Sequence, residues 1–148
     1  MCRLERQPLR VASIVICMTA ILDRFYGALK RLSASDLSDC VTPDFVLDWQ
    51  GTRAIPWAGR WQGVAGLLEF VGRLETHLDI LQVERTHVLQ QGELAVVVLQ
   101  GHWRIKATGR EVQATAANLF TFTDERIRSY TVLNNSAAFA EALGTAPR

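Results

Sequence analysis

The second half of the chain has the pattern of consecutive β-strands joined by short turns. Beyond Asp79 the helical spacing of apolar residues ends, and long apolar or alternating runs replace it. The breaks between these runs are short and polar, and Gly92 and Gly109 fall within two of them. Consecutive strands with such short connections pair antiparallel, so the sequence predicts a meander. Its four strands are expected over residues 81–90, 94–107, 111–123 and 126–133.

The first half and the C-terminus predict helices. Apolar side chains recur at helical spacing over residues 19–32 and again over 63–78. Asp36 is expected to cap a short helix over residues 37–41. A last helix is predicted over residues 136–143, with Asn135 or Ser136 as its cap and Gly144 at its end. Helices that cover one face of an antiparallel sheet make an α+β fold, in a single domain.

A tryptophan-rich loop follows the first predicted strand, which spans residues 45–49. Strand alternation puts Trp49 on one face of that strand and Asp48 on the other. Trp57 and Trp61 follow on a loop that contains glycine and proline. Large aromatic side chains on such a loop either cover an apolar pocket or pack a core, and both alternatives are open here.

Composition excludes several classes of function. The net charge is +1 and no run of basic residues exceeds a pair, which gives no electrostatic reason to expect nucleic acid or a membrane as partner. The three cysteines form no CxxC pair, and the three histidines are widely spaced, so we expect no metal site. No phosphate loop or dinucleotide fingerprint is present, so no cofactor is expected. Reduced cysteines indicate a cytoplasmic protein.

The N-terminus allows two interpretations. Arginines precede an apolar run over residues 11–22, as in a signal peptide. The run passes into a helical pattern without a cleavage site, and it is shorter than the about 20 residues that span a bilayer. Met18 opens that helical pattern, which makes both Met1 and Met18 candidate start residues. We therefore predict a loosely packed extension over residues 1–17 and one domain over 18–148.

Four segments carry a resemblance to a known superfamily. They are FYGALKRLSASDLSDCVTPDFVLDW, PWAGRWQGVAGLLEFVGRL, THVLQQGELAVVVLQGHWRIKATGREV and NLFTFTDERIRSYTVLNNSAAFAEAL, and the resemblance they carry covers roughly residues 19–144. In sequence and order they resemble the SnoaL-like branch of the nuclear transport factor 2-like superfamily, which has the ketosteroid isomerase fold. The resemblance implies a curved antiparallel sheet that forms a cone around an apolar cavity, covered by N-terminal helices. It also implies a homodimer formed through the outer face of the sheet.

The resemblance carries over to individual site residues incompletely. Ketosteroid isomerase has a tyrosine oxyanion donor on its first helix, and Tyr26 lies near that position. Its general-base aspartate ends the first strand, where Asp48 lies within one residue of register. A protonated carboxylic acid is its second donor, and Asn118 takes that place. SnoaL-like cyclases have an acid/base aspartate after the last strand, where this chain has Asn134 or Asn135, whose amides cannot exchange a proton at neutral pH.

His102 completes the set of candidate catalytic residues. It lies in a long predicted strand, and it is either an acid/base in the cavity or a structural histidine with satisfied hydrogen bonds. The candidate catalytic residues are then Asp48, Tyr26, His102 and Asn118. The candidate ligand contacts are Trp49, Trp57, Trp61, Trp103, Phe120 and Asn135.

The leading hypothesis is a protein that holds an apolar carbonyl compound in the cone. As an enzyme it would be a cofactor-independent isomerase, cyclase or dehydratase, with Asp48 as base and the other candidates polarising the carbonyl oxygen. The alternative is a non-catalytic ligand-binding or dimerisation module, since the superfamily contains both and fold does not decide function. An epoxide hydrolase is a third alternative, for which Arg104 and Glu111 are the candidate members, although their spacing does not favour it.

Overall fold

The computed structural model describes the backbone of residues 7–144 and the side chains of residues 18–144. The elements in order are α1 (Gln7–Arg31), α2 (Ala34–Cys40), β1 (Val41–Trp49), β2 (Gly59–Gln62), α3 (Gly63–His77), β3 (Leu78–Gln91), β4 (Leu94–Ile105), β5 (Glu111–Thr123), β6 (Arg126–Leu133) and α4 (Ser136–Leu143). α1 begins well before the predicted residue 19. Within the residues that the structure describes, no helix combines the length and the hydropathy of a membrane span. The predicted loose packing of residues 1–17 concerns side chains outside the described residues and stays a prediction.

The six strands form one curved sheet in the order β2-β1-β6-β5-β4-β3. The last four strands make the predicted antiparallel meander, in which Asn118 lies opposite Val97 and Phe120 opposite Tyr130. β1 extends the sheet by pairing parallel to β6, with Leu47 opposite Tyr130. The predicted α+β fold with helices over a curved sheet is confirmed, and the one parallel pair makes the sheet mixed.

The tryptophan-rich loop contains a short strand that the sequence did not indicate. β2 pairs antiparallel with β1, and Trp49 lies opposite Gly59 while Leu47 lies opposite Trp61. Gly59 has a φ of 107°, a conformation that favours glycine and lets the chain turn back along β1. Four residues with two glycine-flanked ends give no alternation long enough to predict a strand.

The helices cover one face of the sheet, which we call the inner face; the opposite face is the outer face. Along β5, alternate side chains from Val112 to Phe122 are buried or half-buried on the inner face. β4 does the same with Ala95, Val97 and Trp103. The face of a strand residue therefore follows from its position in the alternation.

Phe25 lies at the centre of the contact between α1 and the inner face. Its ring centroid lies 6.3 Å from that of Phe45, 5.8 Å from Phe120 and 5.7 Å from Tyr130. The last two contacts are edge-to-face, a geometry that adds about 0.5–1.5 kcal/mol per pair beyond area burial. This packing fixes the rotation of α1 and places the neighbouring Tyr26 over β5.

Side-chain caps define the ends of the two short helices. α2 begins at Ala34, so Ser33 is its cap and its hydroxyl accepts a hydrogen bond from the Asp36 amide. The prediction that Asp36 caps this helix was wrong, because Asp36 lies inside the first turn. The Asn135 side chain caps α4, and Gly144 ends that helix in the left-handed conformation, as predicted.

Candidate ligand-binding cavity

Tyr26 and Asn118 are the two candidate catalytic residues that the structure brings into contact. The Asn118 Nδ2 donates a hydrogen bond to the Tyr26 hydroxyl oxygen at 2.9 Å. Asn118 is only 2% exposed, so this bond satisfies an amide that would otherwise be buried without a partner. Burial raises the pKa of Tyr26 to about 12, against the opposite effects of the Asn118 hydrogen bond and the Arg85 charge. The phenol is therefore neutral near pH 7 and can donate a proton.

Asp48 lies on the outer face of the sheet. Its neighbours in β1, Leu47 and Trp49, are buried on the inner face, which turns the Asp48 side chain away from it. The Asp48 carboxylate accepts a hydrogen bond from Gln50 Nε2 at 2.8 Å. The sheet thus separates Asp48 from Tyr26 and Asn118, and its role as a general base stays a prediction.

His102 also lies on the outer face, where it forms a cluster with Glu111 and Arg104. The His102 Nε2 lies 2.7 Å from one Glu111 carboxylate oxygen, and Arg104 donates to the other at 3.2 Å. The hydrogen bond from His102, followed by that from Arg104, holds the pKa of the Glu111 carboxyl below its usual value. Next to this cluster is a polar groove lined by Gln82, Glu84, Gln100, His102, Gln113, Thr115 and Asn135. These residues do not meet the Tyr26–Asn118 pair.

The predicted tryptophan contacts divide between the core and the loop surface. Trp57 is completely buried, and its ring lies edge-on to Trp49 at 5.9 Å and to Phe139 at 5.8 Å. Trp61 is half-buried, packs on Phe70 at 6.2 Å, and donates from Nε1 to the Trp57 carbonyl at 3.2 Å. Trp57 therefore packs in the core, which is one of the two alternatives given for this loop. Ligand contacts by these tryptophans stay predictions.

An apolar cavity of about 630 Å³ lies between α1, α3 and the inner face of the sheet. Its volume falls within the range of about 300–1,000 Å³ that is typical of small-molecule sites. Trp103 is the predicted ligand contact that lines it. The apolar lining residues are Leu29, Phe70, Val71, Leu74, Leu78, Ile80 and Trp103.

Tyr130 brings a polar group into the lining of this cavity. Its side chain is 7% exposed, and its ring stacks on Phe120 at 4.5 Å with 8° between the ring planes. Within the described part of the chain, the Tyr130 hydroxyl has no side-chain hydrogen bond. Burial, with a smaller contribution from Tyr26, raises the pKa of Tyr130 well above its usual value, so this phenol is also a neutral donor.

Charged side chains surround the solvent end of the cavity. They are Lys30, Glu75, Asp79 and Lys106. The Lys106 ammonium lies 3.8 Å from the Asp79 carboxylate and donates to the Glu75 carbonyl, which joins the β4–β5 turn to the end of α3. Over residues 18–144, no three His, Cys, Asp or Glu side chains are grouped so that they could hold a metal ion.

Sequence reasoning missed Tyr130 and the part of α3 that borders the cavity. A signal for Tyr130 was present, because its position in β6 puts it on the same face as Val132. Val71 and Leu74 belong to the apolar stripe predicted for α3. Whether such a stripe packs tightly or borders a cavity depends on the separation of α3 from α1, which local spacing does not encode.

Comparisons with known proteins agree with this architecture. The SnoaL-like domain matches residues 22–130 of the chain. The crystal structure of an NTF2-like protein from Burkholderia xenovorans superposes with a TM-score of 0.79 at 23% identity, covering 85% of this chain and 95% of that one. A provisionally named isomerase from Rhodopseudomonas palustris superposes with a TM-score of 0.70 at 21% identity, covering 84% of this chain and 96% of that one.

A third solved structure, TerC co-crystallised with polyporic acid, gives a TM-score of 0.74 at 16% identity, covering 86% of this chain and 98% of that chain. At such identities the likeness shows the fold alone. Among curated proteins, none matches the chain significantly.

Proposed function

The chain belongs to the SnoaL-like domain family, and we propose that it binds an apolar small molecule in the cavity between α1, α3 and the inner face. The observation that carries this proposal is the cavity itself, with its volume of about 630 Å³ and its predominantly apolar lining. A pocket lined by apolar and aromatic side chains with few polar groups is the usual form of a small-molecule site. TerC, which has this fold, was co-crystallised with a small molecule, polyporic acid.

Acid/base catalysis is the second candidate function, and the Tyr26–Asn118 hydrogen bond favours it. A neutral phenol and an amide side by side can polarise a carbonyl oxygen of an isomerase, cyclase or dehydratase substrate. The predicted base, Asp48, lies on the other face of β1. The carboxylates that line the cavity are those of Glu75 and Asp79, and they lie at its solvent end. Binding therefore has more support than turnover.

Filling the cavity tests the binding proposal. Nile red, a neutral dye that fluoresces in apolar surroundings, is titrated against the wild-type protein and against Leu74→Trp, which adds a large ring to the cavity lining. Ala65→Trp is the matched control, because Ala65 is exposed and lies on the opposite side of the same helix. We expect Nile red binding to weaken at least about tenfold in Leu74→Trp, since the added ring occupies ligand volume. Ala65→Trp should bind as wild type.

Equal binding by both tryptophan variants would contradict the proposal, because the dye would then bind elsewhere.

Asp48→Asn is tested beside them with a panel of steroids, polyketides and terpenoids. Ligand-induced stabilisation in both wild type and Asp48→Asn, with turnover in wild type alone, would support the catalytic candidate. Stabilisation without turnover in either protein would favour a carrier or sensor.

The outer face is the proposed homodimer interface. It carries two rows of apolar side chains that cross adjacent strands. One row is Leu89, Val96 and Leu119, and the other is Val98, Ala117 and Leu133. Leu89 and Leu133 are 60% and 44% exposed, so a second copy of the chain would bury apolar surface here. Sedimentation should show a dimer for wild type and for Ala65→Glu, and a monomer for Leu119→Glu. A monomeric wild type would contradict this proposal.

A further inference from the structure

We infer that Tyr130 selects the ligand, by donating a hydrogen bond from its hydroxyl to an acceptor oxygen at the buried end of a neutral apolar molecule. This inference rests on the proposed binding function and names the residue and the ligand chemistry within the same cavity. Among the described residues that line the cavity, Tyr130 carries the one buried hydroxyl, and the indole N–H of Trp103 is the other buried donor. The Tyr130 hydroxyl makes no side-chain hydrogen bond within the described part of the chain, so an acceptor oxygen of a ligand in the cavity can take this donor.

The packing around Tyr130 fixes the position from which its hydroxyl can donate a hydrogen bond. One face of the ring is stacked on Phe120, and the ring makes a perpendicular contact with Phe25 at 5.7 Å, so its rotamer is constrained. The backbone of β6 is fixed by β5 on one side and β1 on the other. A donor held this rigidly discriminates between ligands, because little conformational entropy is lost when it forms a hydrogen bond.

Tyr26 is the alternative donor, and its position differs from that of Tyr130 in two respects. The Tyr26 oxygen already accepts the hydrogen bond from Asn118, and Tyr26 is not among the side chains described as lining the cavity. The Tyr26–Asn118 bond instead joins α1 to β5. For the binding function, ligand selection therefore belongs to Tyr130, while Tyr26 holds α1 against β5.

The charged side chains of the cavity lie at its solvent end, so the part of the ligand that enters the buried end should be neutral. Lys30 and Lys106 lie at the solvent end, and Lys106 already contacts Asp79 and Glu75. The buried lining that the structure describes offers the Tyr130 phenol, the Trp103 indole and apolar side chains but no cation. A carboxylate taken into these surroundings would lose its hydration without gaining an opposite charge, which is strongly unfavourable. A carbonyl oxygen needs only the one donor.

Fluorene and fluorenone test this inference, because they have the same tricyclic shape and fluorenone adds one carbonyl oxygen. Their affinities are measured by displacement of Nile red from wild type, Tyr130→Phe and Tyr26→Phe. In Tyr130→Phe we expect the affinity for fluorenone to fall about tenfold and that for fluorene to stay unchanged, as for loss of one hydrogen bond. Tyr26→Phe should retain the wild-type preference. Fluorene-9-carboxylate should bind wild type more weakly than either neutral probe.

Infrared spectroscopy gives a second measurement that needs no variant. The carbonyl stretch of fluorenone bound to wild type should lie at lower frequency than in a hydrocarbon solvent, because a hydrogen bond weakens the carbonyl bond. An unshifted stretch, a loss of preference in Tyr26→Phe instead of Tyr130→Phe, or an equal effect of Tyr130→Phe on both probes would overturn the inference while leaving the binding function intact. Failure of both neutral probes and Nile red to bind wild type would overturn the binding function as well.

Discussion

The Asn118 amide donates to the Tyr26 hydroxyl at 2.9 Å, and this bond connects α1 to the middle of β5 across the inner face. Replacing Tyr26 with phenylalanine would leave the buried Asn118 Nδ2 without its acceptor. We expect the free energy of unfolding in urea to fall by about 1–3 kcal/mol. Adding Asn118→Leu should restore part of the loss, because both polar partners are then gone. Additive losses in the double variant would show that the two side chains do not interact.

Trp57 and Trp61 should differ sharply in their contribution to stability. Trp57 is fully buried between Trp49 and Phe139, so Trp57→Ala removes a large core side chain and should lower the free energy of unfolding by about 3–5 kcal/mol. Trp61→Ala, at a half-buried position, is the comparison and should have a smaller effect. Thermal and urea unfolding measure both. Similar losses for the two variants would mean that Trp57 does not form part of the core.

The dependence of stability on pH in the alkaline range should report the ionisation of the buried phenols. Because the pKa of Tyr26 is raised to about 12 in the folded protein, its contribution to stability is complete below the unfolded value of about 10 and is lost as the pH rises through the folded value. The free energy of unfolding should therefore fall between about pH 10 and pH 12. Tyr26→Phe should show a shallower fall over this range, because it lacks the Tyr26 phenol. Parallel curves would exclude a raised pKa for Tyr26.

Most of the element order could be predicted because its signals are local. The strands from residue 81 onward are long, are separated by short polar turns, and appear in the structure close to their predicted bounds. Asn135 and Gly144 were recognisable at the ends of α4 for the same reason. The parallel pairing of β1 with β6 is different, because it joins residues far apart in sequence and has no local signal.

For individual site residues, strand alternation predicted the face of the sheet correctly, whereas the family resemblance supplied the expected roles. Alternation along β1 predicted that Asp48 and Trp49 face opposite sides, and the structure agrees. The catalytic role came from a resemblance matched only to within one residue, and a shift of one residue moves a side chain to the other face. The same alternation in β4 puts His102 on the outer face, since Trp103 is buried on the inner face. The cavity depends on the separation of α1, α3 and the sheet, which no local pattern specifies.

Tryptophan indole signals give the most direct test of ligand binding in the cavity. In a proton–nitrogen correlation spectrum of the wild-type protein, fluorenone is added stepwise, and the Trp103 indole signal is assigned by its loss in Trp103→Phe. Because Trp103 lines the cavity while Trp57 is fully buried in the core, we predict a saturable shift of the Trp103 signal and little change in that of Trp57. An unchanged Trp103 signal at concentrations where fluorenone displaces Nile red would contradict binding in this cavity.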